Sequence, residues 1–135
     1  MRYLPNFFRA GQFEKIFFCF PDPHFKAKNH RRRIISFALL SEYAHFLTPG
    51  GRLYTITDVE ELHEWHVAKC SMHPSYRRLD NDEVMVSDLA VRAMYEETEE
   101  GKKVARLGGK KFFAVFERLP DEEVNVSKKS PLLLL

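Results

Sequence analysis

The chain has 135 residues, of which 44% are hydrophobic, 13% aromatic and 30% charged, a makeup that excludes disorder along its whole length. Its 21 Lys and Arg stand against 19 Asp and Glu, a formal net charge of +2, which excludes a polybasic tail protein but leaves room for a local basic patch. One domain of this size buries roughly two-thirds of its unfolded surface, enough for a true core.

No apolar run approaches the ~18 residues of a membrane helix; Ile16 to Phe20 is broken by a proline. No signal-peptide pattern follows Arg2. Cys19 and Cys70 make no disulfide framework, so a reducing compartment, cytosolic or nuclear, is expected.

The first predicted element is a strand over Lys15 to Phe20, whose unbroken apolar run reads as buried on both faces. Pro21-Asp22-Pro23 stops it. Ile35, Leu39, Tyr43 and Phe46 recur at helical spacing, predicting a helix from about Arg32 to Leu47 that ends at Thr48-Pro49-Gly50-Gly51. A second strand follows over Arg52 to Thr57. Asp58 and Glu61 have the spacing of a capping box, opening a helix from about Val59 to Ser71 with Leu62, Trp65 and Ala68 or Lys69 on one face. Tyr76 to Leu79 suggests a short strand. Thr98 is placed to cap a helix running to about Leu107 before Gly108-Gly109, and Phe112 to Glu117 reads as a further strand. Alternating strands and helices predict an open α/β sheet over residues 1–120. Residues 121–135, acidic, then Ser/Lys-rich and ending in four leucines, are expected to form a disordered tail.

Ligands of open α/β sheets bind beyond the carboxyl ends of the strands. Asp22 stands at such an end, fixed by a proline on each side, which suits a carboxylate aimed at a ligand; an ordinary turn is the simpler reading. Lys26, Lys28, His30, Arg31, Arg32 and Arg33 follow within eight positions. Such runs are usually solvated faces. At a predicted helix N-terminus, however, the macrodipole disfavours cations, so the run points to a bound polyanion such as a phosphate backbone. His63, His66, Cys70 and His73 match no common zinc spacing, and no metal is expected. Trp65 reads as core, Cys19 as an inert core thiol, and the acids around Thr98 as helix capping.

Phe20-Pro-Asp-Pro-His-Phe-Lys26 and the basic run resemble the signature loop of the tRNA (guanine-N7)-methyltransferases in its eukaryotic form. Leu4-Pro-Asn-Phe-Phe8, Tyr54-Thr-Ile-Thr-Asp58 and Thr98-Glu-Glu-Gly-Lys-Lys103 are similar to further blocks of that family, in the same order. The resemblance implies a Rossmann-like class I methyltransferase fold of which this chain is the carboxyl-terminal half. It makes Asp22 the catalytic carboxylate and has Lys26 and Asp58 contact tRNA or its guanine. Lys28 and Arg31, Arg32 and Arg33 would then grip tRNA phosphates. Position 19, here Cys19 instead of the expected Leu, would lie against S-adenosylmethionine, with Thr98 and Glu100 closing over cofactor or base. A WD-repeat subunit is the implied partner, in the nucleus or cytosol. No G-x-G pattern occurs in the chain, so the family's Gly-rich cofactor loop has no counterpart in it. A tRNA-binding or partner-binding fragment without catalysis is therefore the alternative to an enzyme.

Overall fold

The computed structural model describes residues 9–124. The Leu4–Phe8 block and the tail from residue 125 onward lie outside the described residues. Four strands form one mixed sheet in the order β1-β2-β4-β3. In chain order these are β1 (Phe13–Cys19), β2 (Leu47–Thr57), β3 (Tyr76–Arg78) and β4 (Phe112–Arg118). The helices are α1 (Phe37–Phe46), α2 (Glu60–Met72), α3 (Asn81–Ser87), α4 (Leu89–Arg92) and α5 (Glu99–Arg106). A 3-10 turn spans Ala27–Arg32, and a π-helical segment spans Ala93–Glu97.

β1 pairs parallel with β2, and β4 runs antiparallel to both β2 and β3. The carboxyl ends of β1, β2 and β3 therefore share one rim of the sheet. This is the α/β architecture expected, a part of a Rossmann-like sheet. α1 and α2 cover one face around Leu40, Tyr43, Leu53, Cys70 and Phe116. The other face packs Tyr54, Ile56 and Val115 on Val84, Val91 and Met94.

Three expectations about the elements need correction. β1 is not buried on both faces: it is an edge strand, and Phe17 remains 44% exposed. Ile16 and Phe18 pack under the helices, whereas Phe17 stacks on Tyr54 on the opposite face, ring centroids 4.5 Å apart. The long edge of β1 has no partner among the described residues, the situation that favours intermolecular pairing. Second, α1 starts five residues later than the apolar spacing predicts, because Ser36 rather than the basic run caps it, its Oγ accepting from Leu39 N at 3.3 Å. Third, no capping box forms at α2, where Glu61 turns to Arg33 instead. Thr98 does cap α5, as expected, its Oγ1 accepting from Gly101 N at 3.1 Å. Beyond β4, Asp121–Glu123 form a 3-10 turn, which the Arg118–Asp121 pair ties to the sheet; the expected tail therefore starts with local structure.

α2 buries Leu62, His66 and Cys70, not the Trp65 face. Both ring nitrogens of His66, which is 0% exposed, lack a hydrogen-bond partner among the described residues. Burial, with the His63 ring and the Arg33 guanidinium adding and Glu61 opposing, pushes the His66 pKa down to about 4. The unfolded imidazole titrates near ~6.5, so between those values the unfolded chain binds more protons than the folded one. Stability is thus complete above about pH 6.5 and falls as pH drops towards 4. A urea midpoint measured at pH 4.5 should reflect a loss on the order of 2–3 kcal/mol relative to pH 7. His66→Gln should remove most of that dependence and leave the part carried by His63, whose pKa burial, with Arg78 adding, also lowers. Asp88 cannot mimic the effect. Its carboxyl, despite the opposing cost of burial, is held low by Tyr54, Arg52 and Ala90 N–H, so its contribution fades only in stronger acid.

Candidate active site

The rim is built at the ends of the parallel strands. Phe20 N still bonds Ile56 O at 2.8 Å, so the chain leaves the ladder only at Pro21. The next residues do not follow an ordinary path. Phe20 has φ +51° and His24 φ +44°, both in the region that favours glycine, and they bracket Asp22. Such backbone strain persists only where surrounding contacts hold it, and it concentrates at functional sites. His24 N donates to Asp22 Oδ1 at 2.9 Å, while Oδ2 has no hydrogen-bond partner among the described residues. The side chain is 71% exposed. Both readings of Asp22 therefore meet in one geometry: one oxygen organises the turn, the other faces outward. Asp58 follows β2 on the same rim and is also exposed.

The basic segment forms its own 3-10 turn, with His30, Arg31 and Arg32 in the last turn. The macrodipole there favours cations, so the argument from an unfavourable helix N-terminus falls away. Solvent exposure takes its place. Lys26, Lys28, Arg31 and Arg32 are exposed, and no carboxylate among the described residues pairs with them. Arg33 is a correction to the phosphate-gripping set: it is 1% exposed and turned inward. Its Nη1 and Nη2 donate to the two Glu61 oxygens at 3.1 and 2.7 Å, and its Nε donates to Pro23 O at 2.8 Å. Trp65 lies beneath it, 4.7 Å from guanidinium carbon to ring centroid. A side chain so enclosed offers no hydrogen to a phosphate.

On the other side of β1 lies a cleft of about 370 Å³, lined by Phe17, Cys19, Ala90, Ala93, Met94, Glu97 and Thr98. This volume lies within the usual range of small-molecule sites. The structure thus brings Cys19 and Thr98 to one cleft although 79 positions separate them. Cys19 is exposed there, not an inert core thiol, and partial burial raises its thiol pKa. Glu100 does not line the cleft; it sits in the exposed first turn of α5. The acid that does so is Glu97, at the end of the π segment, a geometry frequent at functional sites. No pattern in the sequence separates Glu97 from the neighbouring capping acids. Gly101 keeps the Thr98 hydroxyl in place: a Cβ there would meet Thr98 Oγ1 at 2.7 Å. Behind the cleft, Asp88 accepts from Tyr54 Oη at 2.6 Å and Arg52 Nη1 at 2.8 Å, fixing α4 to the sheet.

No group of three or more metal-ligating side chains comes together among the described residues. Their helices are too short or too polar to cross a membrane.

Residues 1–114 match a family described as putative methyltransferase, and the chain belongs to that family. In general such enzymes take the methyl group from S-adenosylmethionine. A tRNA (guanine-N(7)-)-methyltransferase of Schizosaccharomyces pombe is 58% identical over 120 residues, covering 89% of this chain and 44% of the relative. Proteins of the same description from Eremothecium gossypii and Caenorhabditis briggsae are 57% and 54% identical over 92% and 90% of this chain. The chain spans less than half the length of these relatives.

The cleft suits part of such a cofactor. Phe17, Ala93 and Met94 give an apolar wall, while Thr98 and Glu97 supply a hydroxyl and a carboxylate at its edge.

Proposed function

We propose that this chain is the base-facing and RNA-facing part of an enzyme that methylates guanine N7 in tRNA. One observation carries the reading: Asp22, in its strained loop, stands three residues beyond the Cys19–Thr98 cleft and four before the first of four exposed cations. Donor, target base and RNA backbone would then meet on one rim.

The bound cofactor supplies an electrophilic methyl group on a sulfonium centre. Cys19 and Thr98, with Glu97 in place of Glu100, would hold it on this side of the sheet. Guanine N7 has its own lone pair, so no proton must leave before attack. Asp22 accordingly acts by position and charge: its outward oxygen accepts from guanine N1–H or the exocyclic amine. Its charge favours the positive charge that arrives on the ring. Asp58 offers a second acceptor on the rim. Lys26, Lys28, Arg31 and Arg32 take tRNA phosphates, a recognition by shape and backbone more than by sequence. A WD-repeat subunit and a nuclear or cytosolic setting complete the reading.

The test uses the full-length protein that contains this chain, with labelled S-adenosylmethionine and unmodified tRNA. Label recovered as N7-methylguanosine is the expected result; label in another nucleoside, or none, refutes the assignment. A second reading, tRNA binding by this chain alone without catalysis, draws on the exposed Lys26, Lys28, Arg31 and Arg32. It predicts salt-sensitive tRNA binding by the 135-residue chain and no heat of S-adenosylmethionine binding.

A further inference from the structure

We infer that Arg33 is a positioning residue for Asp22, acting through the Pro23 carbonyl, and not a phosphate ligand. The inference rests on the catalytic reading of Asp22 given above. Arg33 directs three hydrogen bonds from one buried guanidinium: two go to Glu61 on α2, and the third goes to Pro23 O in the residue next to Asp22. Trp65 packs against the guanidinium and is itself anchored, its Nε1 donating to Ile35 O at 2.8 Å. The Asp22 loop is thereby tied to the helix that follows the neighbouring strand.

Chemistry says why this is not simply a stabilising pair. Burying a guanidinium is costly, and apolar residues of similar volume commonly stabilise a core as well or better. What an apolar side chain cannot supply is a donor aimed at one carbonyl. Pro21 and Pro23 have no N–H to donate, and the one bond inside the loop, His24 N to Asp22 Oδ1, does not tie it to the rest of the fold. The strained φ values at Phe20 and His24 need an outside hold, and the Arg33–Pro23 bond supplies one directly beside the carboxylate. Glu61 keeps the guanidinium turned towards the loop, and the Arg33 pairing, against a smaller cost of burial, holds the Glu61 carboxyl low. A planar fork suits that bidentate contact, and an ammonium does not.

The distinction is tested in the full-length protein with Arg33→Lys, Arg33→Gln and Glu61→Gln, measuring kcat, tRNA KM and its salt dependence. All three should lower kcat, Arg33→Gln by tenfold or more, with KM and salt slope unchanged. Lys should not rescue, because its charge is kept but its directed bonds are lost. Amide exchange at His24, whose N–H is bonded to Asp22, should quicken at least tenfold in the same variants. If Arg33→Gln does not fold, Glu61→Gln on the exposed side of the pair carries the test. Rescue by Lys, or a raised KM with kcat intact, would make Arg33 an RNA contact and overturn the inference. So would unchanged kcat and unchanged His24 exchange in folded variants. A wild-type protein that transfers no methyl group to tRNA refutes the catalytic reading instead, and His24 exchange then decides the role of Arg33 in the loop by itself.

Discussion

Asp22→Asn should reduce single-turnover methyl transfer by at least about a hundredfold, the scale on which removal of one transition-state electrostatic contact is felt. tRNA affinity should stay within about twofold, because the phosphate contacts lie elsewhere. The choice of Asn matters. Its side-chain oxygen can still accept from His24 N, so the turn bonded at 2.9 Å survives. What disappears is the charge, and an amide NH2 replaces an acceptor opposite the donors of guanine N1 and N2. Rapid-quench transfer from labelled cofactor and equilibrium binding of tRNA separate the two effects. Retained turnover would remove Asp22 from the chemistry and leave it as a turn residue.

The second large effect concerns the exposed cations. Replacing Lys26, Lys28, Arg31 and Arg32 with Ala together removes four exposed charges and leaves the buried Arg33 rivet intact. Each phosphate contact contributes about 0.7–0.9 to the slope of log affinity against log salt, so the slope should fall by roughly three. Affinity at low salt should drop by more than ~10²-fold, with little change in single-turnover rate at saturating tRNA. Filter binding over a salt series measures both. An unchanged slope would return the run to a solvated face. The 3-10 turn already accommodates these cations at its carboxyl end, so nothing in the local fold demands a polyanion. Only their exposure and lack of carboxylate partners argue for one.

The residues that announced themselves in the sequence were those whose chemistry is local. Thr98 caps its helix through a bond to Gly101 three positions on, and Pro21-Asp22-Pro23 breaks its strand by the same short-range sterics. What depended on distant pairing stayed hidden. The run from Ile16 to Phe20 has the composition of a central strand, yet its burial depends on what lies beside it, and β1 has a neighbour on one side only among the described residues. Arg33 could not be told from Arg31 and Arg32, since its difference comes from Glu61, 28 positions away. The helix after the basic run started at Ser36 because a side-chain cap there outweighs apolar spacing that extends farther back. On α2, His66 took a core position that periodicity gave to Trp65; the indole instead serves as a floor under two cations, Arg33 and Lys69. Glu97 reads in the sequence as one of the capping acids around Thr98, because a π segment shifts the residues it presents and no sequence period signals one.

Delivery of the methyl group to N7, and not to another atom of the base, is decided with a tRNA in which the accepting guanine is replaced by 7-deazaguanine. That substitution removes the N7 lone pair and leaves N1–H and the exocyclic amine for Asp22. The full-length protein should bind the substituted tRNA within about twofold of the natural one, with no methyl transferred. Methyl transfer to the substituted tRNA would mean that another atom is the acceptor, and the roles drawn for Asp22 and its rim would be wrong.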